Sequence, residues 1–165
     1  MGLIYRGRVN DRPSGRDETE DERLDRNLGE LLQELRIALP GVQVLFAFLL
    51  AVPFQKRFVE MTPFQEKIYF VTLLCTAISA VLLIAPSAHH RIAFRLQRKE
   101  ELVLLANRFA IAGLGFLALA MTGAIVLVTD FLFGPLMTVI TGVFAAALFV
   151  TFWYLLPAKR SRRLG

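Results

Sequence analysis

The sequence predicts an all-α fold: a transmembrane four-helix bundle with an N-terminal amphipathic cytoplasmic helix. Three observations carry that prediction. Hydrophobic residues make up 55% of the 165, and the mean hydropathy is +0.53. The charged residues, only 20% of the chain, gather in four blocks. The stretches between those blocks are of bilayer length and almost free of charge. A water-soluble core interleaves charged and apolar positions at helical period, so this segregation identifies lipid as the solvent. The length suffices for one domain.

Residues 1–19, with Pro13 and several glycines and arginines, are expected to form a disordered cytoplasmic tail. They lack an apolar h-region and predict no signal peptide, and Arg6 stands where a myristoylation motif needs Ser or Thr. Leu24, Leu28, Leu31, Leu35 and Leu39 then draw one apolar stripe along a helix over 20–39, with Asp25, Arg26, Glu30, Glu34 and Arg36 on its other faces. Thr19 and Glu22 fit a capping box at its start. A helix lying on a membrane surface is usually rich in Lys and Arg. The acids here favour packing against another helix.

The first span is predicted over 38–54, about 26 Å at 1.5 Å per residue. Pro40-Gly41 marks the bend into the bilayer, and Gln43 lies about one turn further in. A polar loop from Gln55 to Lys67 follows. It holds the second of two Pro-Phe-Gln tripeptides, Pro53–Gln55 and Pro63–Gln65, which two copies are too few to make a repeat. The second span covers 68–85 and is closed by Pro86. Residues 87–108 form a basic, helical, interfacial loop containing His89, His90, Arg91, Arg95, Arg98, Lys99 and Arg108. The third span covers 109–129, and Asp130, Gly134 and Pro135 make a tight turn into a fourth at 135–156. Trp153 and Tyr154 fall at its end, where amphipathic rings favour the boundary with water. A basic tail, 157–165, closes the chain.

Sixteen of the nineteen Lys and Arg residues lie in the N-terminal segment, the 87–108 loop and the C-terminal tail. The positive-inside rule therefore places both ends in the cytoplasm, and an even span count agrees. The +5 net charge suits anionic lipid headgroups. No aromatic-interleaved basic groove points to a nucleic-acid partner.

The candidate structural or pathway polar residues are Glu34, Arg36, Gln43, His90, Arg91, Asn107, Arg108 and Asp130. Arg108 is close enough to a helix start to snorkel as a cytoplasmic anchor, or to pair with Glu34 or Glu101. Asp130 is about 33 Å further along a helix, too far to pair with Arg108, and is expected to cap the outer turn facing water. Adjacent histidines point about 100° apart and make a poor metal clamp, and the lone Cys75 sits in an apolar run. No metal or cofactor is expected. The small residues Ala120–Ala124 and Gly142–Ala146 match a small-xxx-small pattern, read as packing inside the bundle ahead of a homo-oligomer interface.

The spans contain no Asp, Glu, Lys or His near the bilayer centre, whereas ion-coupled carriers usually embed a carboxylate. No nucleophile set or phosphate loop stands out. The first reading is thus a non-enzymatic accessory or scaffold subunit, with other membrane subunits or a second copy as partners. The alternative is a small oligomeric sodium or proton transporter or channel whose path is lined by Gln43, Asn107, Arg108, Thr122 and Asp130.

Several stretches together carry a resemblance: Arg23-Leu24-Asp25 through Glu34-Leu35-Arg36, Pro40-Gly41-Val42-Gln43 leading to Phe54, Pro86 with His90-Arg91, and Asn107-Arg108. In that order, with four spans, the chain resembles a family of small actinobacterial membrane proteins of unknown function, often labelled sodium:proton antiporters. The resemblance covers about residues 20–157. It implies an actinobacterial plasma membrane and brings no catalytic or transport residue with it.

Overall fold

The four apolar runs become four helices long enough to cross a bilayer, because every backbone N–H and C=O in lipid must find its partner inside the segment. A computed structural model describes residues 20–93, 99–156 and 158–159. The tail 1–19, residues 94–98, Pro157 and the basic tail from Arg160 fall outside the described residues. The side chains of His89, His90 and Arg91 are likewise outside.

Helix α1 runs from Glu20 to Ala51, α2 from Pro63 to Ala93, α3 from Lys99 to Phe133 and α4 from Pro135 to Val150. Two 3₁₀ turns, Val52–Phe54 and Lys56–Glu60, connect α1 to α2, and a π turn, Thr151–Leu155, extends α4.

Helices α2 and α3 outrun the expected spans, while α1 ends at Ala51, short of the expected 54. Pro86 was expected to end the second span; instead it is buried within α2, which continues to Ala93. Proline removes the N–H that would bond the Leu82 carbonyl, but away from water nothing competes for the neighbouring turns, and packing holds both sides. Pro40 likewise stands inside α1, so the amphipathic segment and the first span form one helix. Asp130 belongs to the last turn of α3, which leaves Gly134 alone as the link to α4. Its φ of +81° is one that a side chain would strain.

From Leu28 onward the leucine stripe of α1 turns inward, the side chain of Leu24 lying outside the described residues. Leu35 and Val42 of α1 join Leu83 of α2 and Ala110 and Leu117 of α3 in the buried core, with Leu31, Leu39 and Trp153 packed against it. The amphipathic segment therefore packs helix on helix within its own chain.

The seam between α2 and α3 is of a different kind. Thr72, Thr76 and Ser79 of α2 are all but fully buried, and Ala120 of α3 is fully buried. A Cβ added at Gly123 would collide with Thr72 Oγ1. Small residues let the two backbones approach closely, and the buried hydroxyls of Ser79 and Thr76 bond main chain. Ser79 Oγ donates across the seam to the Gly113 carbonyl (2.8 Å), and Thr76 Oγ1 donates to the Thr72 carbonyl (2.8 Å).

Helix α4 lies along α3 through Gly142 and Ala145, both buried, and approaches no other helix backbone among the described residues. The π turn swings Trp153 and Tyr154 back onto the bundle. Tyr154 Oη donates to the Ile111 carbonyl (2.9 Å), and Trp153 packs against the core, so both rings are anchored on protein.

Candidate functional site

Polar chemistry concentrates where α2 begins and α3 hands over to α4. Thr62 and Gln65 form a capping box at the start of α2. The Gln65 N–H donates to Thr62 Oγ1 (3.3 Å), and the Thr62 N–H donates to Gln65 Oε1 (3.1 Å). That reciprocal pair fixes the buried Gln65 side chain with its amide nitrogen aimed at α3. Nε2 donates to Asp130 Oδ2 at 2.9 Å, joining residues 65 positions apart.

Asp130 Oδ1 accepts a longer bond from Thr138 Oγ1 (3.3 Å), in the first turns of α4. The same hydroxyl lies 2.8 Å from the Gly134 carbonyl. A hydroxyl has one proton, so the shorter contact claims most of it and Gln65 is the firmer partner. The carboxylate thus lies against the first turns of both α2 and α4, where the N-terminal ends of two helix dipoles favour negative charge. The arrangement joins three helices by one half-buried side chain.

Beside this junction the connecting turns stand away from α3 and leave a groove of about 750 Å³. Its walls are apolar: Phe54 and Phe58 on the connecting turns, Val128, Phe131 and Leu132 on α3. Lys56 and Arg57 line it as well, and the Arg57 guanidinium sits 5.4 Å from the centre of the Phe131 ring. The turns are pinned from inside. Tyr69 packs edge-on against Phe58 and donates its hydroxyl to the Leu49 carbonyl (3.0 Å).

The residues singled out in the sequence do not converge. Glu34 and Arg36 are exposed on α1. Gln43 faces outward from α1 and makes no hydrogen bond among the described residues. Asn107 and Arg108 are exposed on α3, and no ion pair joins Arg108 to Glu34. His90 and Arg91 lie on the last turn of α2, their side chains outside the described residues. Thr122 returns its hydroxyl to the Ala118 carbonyl (2.8 Å). Among the described candidates, Asp130 alone is built into a network. No group of three metal-ligating side chains occurs among the described residues.

Gln65, Thr62, Thr138 and Arg57 were not expected in this role. The Thr-x-x-Gln spacing before an apolar run was a readable signal for the first two. Nothing in sequence pointed from Gln65 to Asp130.

Four apolar helices and a satisfied polar interior define a multi-pass integral membrane protein. The chain belongs to the DUF6328 family, a family of unknown function, whose profile matches residues 17–157. No curated protein and no solved structure gives a significant match.

Proposed function

We propose that this protein is a non-enzymatic accessory or scaffold subunit of a bacterial plasma-membrane complex, with both ends in the cytoplasm, and that it meets its partner along the outward face of α1. The observation that carries this reading is Gln43. The interior hydroxyls of Ser79 and Thr76 are spent on the chain's own main chain, and among the described residues no set of polar side chains converges on a path through the bundle. Gln43, by contrast, points away from the bundle, about 10 Å of helix rise beyond Arg36 and so inside the hydrocarbon layer. Lipid tails cannot bond an amide, and in membranes such side chains join helices.

The test compares the wild-type chain with Gln43→Leu. Purification from native membranes recovers a stoichiometric membrane partner with the wild type and loses it with the variant. Proteoliposomes of the wild type conduct sodium and protons no faster than protein-free vesicles. Robust flux abolished by Asp130→Asn or Arg108→Ala overturns the accessory role in favour of transport.

A further inference from the structure

The groove beside Asp130 has a chemistry that neither the scaffold role nor the helix packing uses. We infer that it binds one acidic phospholipid from the leaflet at the α1–α2 connection, with an acyl chain on the apolar walls and the phosphate on Lys56 and Arg57. The inference rests on the chain spanning a bilayer and not on the accessory role or on which side faces out.

Three observations fix the occupant. First, the walls are apolar and open sideways: Val128, Phe131, Leu132 and Phe54 are all exposed, so the groove faces the lipid rather than the bundle interior. Second, the basic pair stands at one depth only. Lys56 and Arg57 are the first charges after the apolar stretch of α1, and so sit at headgroup level above hydrocarbon walls. Third, the lining carries two cations and no carboxylate. The nearby Asp130 is committed to Gln65 and Thr138 and is not part of the wall. The stack on Phe131 holds the Arg57 fork in place, and a guanidinium fork matches phosphate oxygens in pairs. A zwitterionic lipid brings a cation that this site does not answer, so acidic headgroups win. The volume, about 750 Å³, lies within the roughly 300–1,000 Å³ common for ligand clefts.

The experiment places the full chain in nanodiscs of equal phosphatidylglycerol and phosphatidylcholine, releases it, and counts retained lipids by native mass spectrometry. The wild type is expected to keep one phosphatidylglycerol in preference. K56Q/R57Q is expected to lose that retention roughly thirtyfold, since each basic residue near a headgroup contributes about fivefold. Val128→Trp keeps both charges but fills the wall at an exposed position, and is expected to lose it too. R162Q/R163Q, in the C-terminal tail, retains lipid like the wild type, and excess inorganic phosphate leaves the bound lipid in place. Equal retention of the two lipids by the wild type, or unchanged retention in K56Q/R57Q, overturns the proposal. So does unchanged retention in Val128→Trp, which reduces the site to surface adsorption, or displacement by phosphate alone. Far-UV circular dichroism confirms that each variant is folded before it is compared.

Discussion

The α2–α3 seam and the α3–α4 contact use the same device to different depths. Both set a glycine against a β-branched side chain of the facing helix, Gly123 against Thr72 in one and Gly142 against Val126 in the other. In the seam, three hydroxyl residues are buried with the glycines, and one of them bonds across to the opposing helix. Along α4 the buried positions are few, and Leu136, Val139, Val143 and Phe144 are turned outward. The difference teaches where conformational uniqueness is held. Lipid tails are as apolar as leucine, so burying leucine between helices gains little, and close packing with directed hydrogen bonds decides which helices stay together. The α2–α3 pair is the rigid frame, and α4 is laid against it.

The comparison breaks most readily at Gly123. Gly123→Leu drives a side chain into Thr72 and is expected to cost about 2–3 kcal/mol, the upper part of the range for overpacked sites. Denaturant unfolding in mixed micelles measures it. Adding Thr72→Ala recovers part of the loss, because the colliding hydroxyl goes with it. An unchanged midpoint for Gly123→Leu means the seam is not tightly closed.

Next in size is the junction. Asp130→Leu leaves the Gln65 amide buried without its acceptor and is expected to cost about 1–2 kcal/mol. Asp130→Asn keeps an oxygen for that amide and recovers most of the loss. Combining Asp130→Leu with Gln65→Leu in a double-mutant cycle yields a coupling of about 1 kcal/mol. Additive effects would mean that the two ends of this bond act separately.

These regions were not equally legible in the sequence. Spans are read from apolar runs, and the four found by composition are the four in the structure, because hydropathy sums over many residues and tolerates single exceptions. Boundaries resisted for a physical reason. Pro86 and Pro40 are stop signals in water, where solvent takes up the freed carbonyl, and weaker ones in lipid. Asp130 was visible as a lone carboxylate beside the late spans and was expected to cap the outer turn facing water, whereas it lies half-buried in the last turn of α3. Its partner was not visible. The Thr62–Gln65 spacing is local and readable, but which helix the Gln65 amide meets depends on how α2 and α3 lie together, a property of packing over many residues. Gln43 was legible as a polar residue in a span. Its outward direction was not, since a helical face gains meaning only once its neighbours are placed.

Within the seam, a smaller test separates hydrogen bonding from packing. Ser79→Ala removes the donor to the Gly113 carbonyl with almost no change in shape. Interhelical hydrogen bonds in membranes average about 0.6 kcal/mol, and that is the expected loss in the same unfolding measurement. A cost as large as that of Gly123→Leu would make the hydroxyl ladder, rather than close approach, the source of the frame's rigidity.

The smallest effect is expected on the far side of α4, and its size matters more than its modesty suggests. Val143 is 66% exposed, on the outer face of a helix that, among the described residues, lies along α3 and no other helix of the bundle. If lipid is what covers it, Val143→Leu exchanges one apolar contact with acyl chains for another, and stability changes by no more than about 0.5 kcal/mol. The same substitution then leaves the number of copies per nanodisc unaltered. A loss of 2 kcal/mol or so, of the size that overpacking a buried interface produces, could not come from lipid contact. It would mean that a protein surface presses on α4, and it would move the partner-facing side of the molecule from Gln43 on α1 to the opposite flank of the frame.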